Sequence, residues 1–123
     1  MIRIKRVYDA AAPTDGTRIL VDRLWPRGIA KSEARIDEWR SDVAPSHALR
    51  RRFHTHPDRW EEFLDSYRRE LREAGKEEDL RTLSRRARGE TLTLLFAARD
   101  AERNNAAALK ILIRAFGAPG KEL

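Results

Sequence analysis

The chain has 123 residues, 41% hydrophobic and 37% charged, with 26 basic and 20 acidic side chains and a net charge of +6. This length leads us to expect a single domain over residues 1–123, with a core large enough to fold unaided. The lack of Cys excludes disulfides, thiolate nucleophiles and cysteine metal sites, and no stretch approaches the roughly 18 apolar residues of a membrane span. The opening "MIRIKRVYDAA" has no apolar signal core, so we expect a soluble cytoplasmic protein.

Residues 2 to 8, "IRIKRVY", begin with alternation and read as a half-buried strand. Asp15-Gly16 marks a turn. "RILVD", residues 18 to 22, reads as a short buried strand, after which Pro26 and Gly28 break regular structure. "SEARIDEW", residues 32 to 39, fits a short helix or an ordered loop. Pro45 and Ser46 open a helix over "HALRRRF". Asp58 and Glu61 have the spacing of a capping box. Trp60, Phe63, Leu64, Tyr67 and Leu71 then repeat at helical spacing, with Gly75 as the stop. A further helix spans Glu77 to Ala87, closed by Gly89. "TLTLLFAA", residues 91 to 98, has the apolar run of a central strand covered on both faces. Asp100 is placed to cap a last helix with Leu109, Leu112, Ile113 and Phe116 on its buried face, and "GAPGKEL" reads as a frayed end. Strands separated by helices favour parallel pairing. The expected fold is therefore a small three-layer α/β domain, its parallel or mixed sheet flanked by helices.

Ligands of open α/β sheets gather outside the carboxyl ends of the strands. Two strands here end in polar residues: one at Asp22-Arg23 followed by Trp25, the other at Arg99-Asp100 followed by Asn104 and Asn105. If these strands are parallel neighbours, Asp22 and Asp100 approach one another. Arg23, Arg27, Arg99 and Asn104 would surround them with donors for a carboxylate or phosphate, and Trp25 would stack on a ring or line an apolar wall. In the catalytic version of this reading, Asp22 or Asp100 serves as acid or base and Arg23 or Arg27 bears developing negative charge. The structural version has Asp22 and Arg23 tying down their loop, Asp100 acting as an N-cap, Trp25 as a core wedge, and Pro26 and Gly28 as turn formers.

His54 and His56 share a face only if their segment is a strand. No His-Glu-x-x-His pattern accompanies them, so no metal is expected. No Gly-rich phosphate loop or nucleophile elbow occurs either, and no cofactor is expected. The Arg clusters at 50 to 52, 68 to 69 and 85 to 88 are interspersed with Glu and mostly read as solvated helix faces. They keep a nucleic-acid-associated basic protein open as an alternative, beside a purely structural or protein-interaction module.

"KRVYD" at 5 to 9, "RILVDRLWPRGIAK" at 18 to 31, "DEW" at 37 to 39, "LRRRFHTHPDRWEEFLDSYRREL" at 49 to 71 and "LTLLFAARDAERNNAAALK" at 92 to 110 resemble the YeaO-like family, domain of unknown function 488. The resemblance implies a small α/β fold and brings no assigned reaction. It marks Asp22, Arg23, Trp25, Pro26, Arg27, Gly28, Asp37, Trp39 and Asn104 as motif residues. It also implies Asn-His-Ala in the last segment, where this chain has Asn104-Asn105-Ala106. An amide cannot replace imidazole in proton transfer, although it can keep a hydrogen bond. The sequence thus points to a small polar or anionic ligand, with Asp22 and Asp100 as candidate catalytic residues and Arg23, Trp25, Arg27, Gly28, Asn104 and Asn105 as candidate ligand contacts.

Overall fold

The computed structural model describes residues 1–117. Four strands, β1 (Ile2–Arg6), β2 (Thr17–Leu20), β3 (Glu38–Trp39) and β4 (Leu92–Phe96), form one sheet in the order β1-β4-β2-β3, with every pairing parallel. Four α-helices flank it: α1 (His47–Thr55), α2 (Trp60–Glu73), α3 (Glu77–Gly89) and α4 (Asn105–Gly117). Most of the expected frayed end, residues 118–123, lies outside the described residues.

The register explains the layers. Ile2 and Ile19 fall beside Leu92 and Leu94, and side chains two residues apart share a face. Ile2, Ile19, Val21, Leu92, Leu94 and Phe96 therefore form one floor, against which buried side chains of all four helices pack. The opposite face carries Val7, Leu20 and Leu95, covered by Trp25, Ile29 and Ile36. This third layer is the irregular chain after β2 together with a 3-10 turn at Pro13–Asp15. All five residues of β4 are buried, as expected of a strand with a neighbour on each side and cover on both faces.

Several boundaries differ from those expected. The first two long strands stop early, at Arg6 and Leu20, so Asp22 lies beyond its strand. Glu38–Trp39 is an edge strand in a segment expected as short helix or loop. It pairs with Ile19 and Leu20, and Arg40 N donates to Leu20 O at 2.8 Å. Asp58 does not cap α2, whose N-cap position is Arg59 with no side-chain cap. α3 continues through Gly89 instead of stopping before it. Ser46 does cap α1, accepting from Leu49 N, and its own hydroxyl donates to Glu70 Oε2 at 2.5 Å.

Candidate functional site

Asp22 sits two residues past β2 and is 2% exposed. Its Oδ2 accepts from Ala97 N at 2.9 Å, and its Oδ1 accepts from Asn105 Nδ2 at 2.8 Å. The same Asn105 amide donates to Val21 O at 2.7 Å, and Trp39 Nε1 donates to Asp22 O at 2.8 Å. One carboxylate thus joins the ends of β2 and β4 to the first residue of α4. Burial pushes its pKa above the ordinary value. The Asn105 hydrogen bond, the positive charge of Arg50 and the Ala97 hydrogen bond oppose that push.

In front of Asn105, a cleft of about 720 Å³ opens beyond the carboxyl end of β4. Ala97 and Ala98 leave room there because their side chains are small. Arg99, Asp100 and Arg103 line the same wall, which runs on to Asn104 and Asn105. Across it stand Arg50, Phe53 and His54 of α1. The Ser46 cap fixes where α1 begins, and the i, i+3, i+4 spacing then places these three on one helix face. Pro57 and Phe63 complete an apolar side. Among the described residues, no carboxylate pairs with Arg50, Arg99 or Arg103 in a salt bridge.

Asp100 is exposed, and its Oδ1 accepts from Glu102 N at 2.9 Å and Arg103 N at 3.1 Å. Those two backbone bonds, Arg103's first, hold its pKa below the ordinary value. The cap of α4 is Asn104 rather than Asp100. Its Oδ1 accepts from Ala107 N at 2.8 Å, while its Nδ2 donates to Asp100 O at 2.9 Å. Asp100 instead closes the short turn that leads into the helix.

The residues expected to share one pocket are distributed otherwise. Asp100, Asn104 and Asn105 line the cleft. Asp22 lies behind Asn105, bonded to it rather than facing Asp100. The Arg23 guanidinium is turned inward, donating to Ala44 O at 2.9 Å and Pro45 O at 3.2 Å. The Trp25 indole N–H donates to Ile29 O at 2.6 Å, and its ring meets Trp39 edge-on at 5.5 Å. Trp25 packs the loop after β2 against the sheet, and Arg23 ties that loop to the segment leading into α1. Arg27 is exposed, and its carbonyl accepts from Tyr8 Oη at 3.0 Å. Gly28 borders a separate hollow of about 440 Å³ beside Tyr8 and Glu33. Missing from the expected set were Arg50, Phe53 and His54, which sit on a helix rather than at a strand end. The Pro45-Ser46 start followed by "HALRRRFH" was the available signal for them.

The family model described as the inactive DUF488-N3 subclade matches residues 1–117. The chain belongs to the DUF488-N3, YeaO-like family. Uncharacterized protein YeaO of Escherichia coli K12 is 42% identical to it over 113 residues, covering 92% of this chain and 96% of the relative. Uncharacterized protein Rv3073c of Mycobacterium tuberculosis H37Rv is 41% identical over 112 residues, covering 91% and 92%. No solved structure is significantly similar to the chain. In this DUF488-N3 protein the buried polar and charged residues concentrate near the sheet: Asp15, Arg18, Asp22, Thr93, Asn104 and Asn105. Among the described residues, no group of His, Asp and Glu has the arrangement of a metal site, and no helix is long and apolar enough to cross a membrane.

Proposed function

We propose that this DUF488-N3 protein is a binding module that holds a small anionic molecule in the cleft between α1 and the segment joining β4 to α4, without turning it over. The observation that carries this reading is the convergence on one cleft of Arg50, Arg99 and Arg103, none of which forms a salt bridge among the described residues. Such guanidinium groups are suited to phosphate or carboxylate. The cleft also lies outside the carboxyl end of a central parallel strand, where open α/β sheets receive ligands.

Two observations favour binding over catalysis. The family description names an inactive subclade. Asp22, a buried carboxylate bonded to the cleft-lining Asn105, already accepts a protein hydrogen bond on each oxygen and stands behind an amide that is neither acid nor base near neutral pH. The nucleic-acid alternative receives less support, because several clustered arginines are paired with carboxylates: Arg52 with Glu62, Arg68 with Asp65, Arg85 with Glu78 and Arg86 with Glu38.

Calorimetric titration with inorganic phosphate tests the reading. The wild-type protein should bind, and Arg99→Gln and Arg103→Gln should each weaken binding about tenfold, consistent with loss of a charge-assisted hydrogen bond. Absence of binding, or unchanged affinity in the doubly substituted protein, would refute it.

A further inference from the structure

We infer that the group this cleft accepts is a 5′-nucleoside monophosphate, with its phosphate on the arginines and its base against Phe53; the inference rests on the anion-binding reading above. The first argument is size. About 720 Å³ falls within the roughly 300–1,000 Å³ of small-molecule sites and far exceeds what a bare inorganic anion needs. The second is the division of the walls. Arg99 and Arg103 stand on the segment before α4, and Phe53, Pro57 and Phe63 supply an apolar side across from it. A ligand that is charged throughout would leave that apolar side against water. A ligand with a charged end and a flat apolar end uses both.

The third argument is rigidity. The Phe53 ring meets Phe63 edge-on at 4.5 Å and Trp60 at 5.5 Å, and Trp60 in turn stacks on Phe63 at 5.8 Å. Phe53 is thereby braced by neighbouring rings before any ligand arrives, so a stacking platform costs little ordering on binding. Arg50 and His54 flank it on the same helix face, one turn before and one residue after. Asn105 Nδ2 spends both hydrogens on Val21 O and Asp22 Oδ1, whereas Asn104 Nδ2 spends one on Asp100 O and keeps the other. Stacking on Phe53, which every base permits, supplies most of the recognition of the base.

The test compares inorganic phosphate, ribose 5-phosphate, adenosine, the four common 5′-mononucleotides, and a short single-stranded oligonucleotide with and without a 5′-phosphate, on the wild-type chain and on Phe53→Leu. Leucine keeps an apolar packing partner for Phe63 while removing the aromatic face, and a melting curve checks that the variant is folded. Mononucleotides should bind at least about tenfold tighter than phosphate or ribose 5-phosphate, and Phe53→Leu should abolish that margin while phosphate affinity stays. Binding of the free mononucleotides identifies a free nucleotide as the source. A margin over phosphate that only the 5′-phosphorylated oligonucleotide shows identifies a strand end and also supports the inference. Mononucleotides and oligonucleotide binding no better than phosphate would overturn it and leave the anion site standing. No binding by any of them, phosphate included, would overturn both. A margin that survives unchanged in folded Phe53→Leu would also overturn it.

Discussion

Asn105 Nδ2 bridges two acceptors on the loop that leaves β2, lying 2.8 Å from Asp22 Oδ1 and 2.7 Å from Val21 O. Asp22 and Val21 are buried behind Asn105, so once the amide is removed only water entering from the cleft could stand in for it. Asn105→Ala should cost about 1–3 kcal/mol, the penalty for buried acceptors left without a donor. Asn105→Asp should cost more at neutral pH, because it sets a second carboxylate against Asp22, and should recover part of the loss on acidification. Urea denaturation across pH checks both. Equal stability of wild type and Asn105→Ala would remove the structural role assigned to this amide.

A second prediction concerns acid. Asp15 is buried, which alone would raise its pKa. Hydrogen bonds from Lys5, Ala12 N and Arg18 outweigh burial and hold it at about 2, against 3.8 unperturbed. The folded state therefore favours the ionised form. Its contribution is present above the unfolded value and is lost as pH falls from about 4 toward 2; linkage limits it to no more than about 2 kcal/mol. Asp15→Asn should be less stable than wild type at neutral pH, and the gap should narrow over that interval. A gap that is constant with pH would contradict the assignment.

Asp22 should behave in the opposite sense. Its folded-state pKa is raised by burial, so the stability tied to it is greatest below the unfolded value and falls as pH rises through the folded one. Carboxyl carbon chemical shifts should show Asp22 titrating above Asp15 and above the model value of 3.8. An Asp22 midpoint below that value would show that its two hydrogen bonds outweigh burial.

Arg23 separates scaffold from site. Its guanidinium fork donates to Ala44 O and Pro45 O, and lysine cannot reproduce a two-pronged donor. Arg23→Lys should lower stability by about 1 kcal/mol while leaving phosphate affinity unchanged, the reverse of the pattern expected for Arg99→Gln. Loss of phosphate binding without loss of stability would return Arg23 to the ligand site.

Gly16 has φ +63°, and a Cβ there would meet Thr91 O at 2.2 Å, where the backbone of β2 starts beside β4. Because the obstacle is backbone, Gly16→Ala should cost at least about 1–3 kcal/mol, read as a lowered thermal midpoint. A neutral substitution would show that the turn into β2 is free to shift.

How much of this was legible in the sequence depends on which forces acted locally. The apolar run of β4 and the helical spacing of Trp60, Phe63, Leu64, Tyr67 and Leu71 record burial directly, so the central strand and α2 could be read. β3 could not, because two residues carry no alternation and Glu38–Trp39 is a strand only through pairing with Ile19 and Leu20. Asp58 and Asp100 do not cap α2 and α4, for a related reason. Several residues near each helix start are capable caps, and tertiary packing decides which one begins the helix. In the "LVDRLWPRG" segment, charged and aromatic residues near a strand end suggested a ligand site. Trp25 instead satisfies Ile29 O within the irregular layer, and Arg23 satisfies Ala44 O and Pro45 O in the segment leading into α1. The cleft depends on α1 being brought over the end of β4, a contact between segments more than forty residues apart that no local pattern records.

The most direct measurement is a two-dimensional amide NMR titration of the wild-type protein with inorganic phosphate. The central claim is that the anion sits between α1 and the segment preceding α4, so the largest shifts should fall on residues 97–105 and 50–54. Saturating changes confined there would support it. Shifts centred instead on residues 23–28, or no shifts as phosphate is raised, would contradict it.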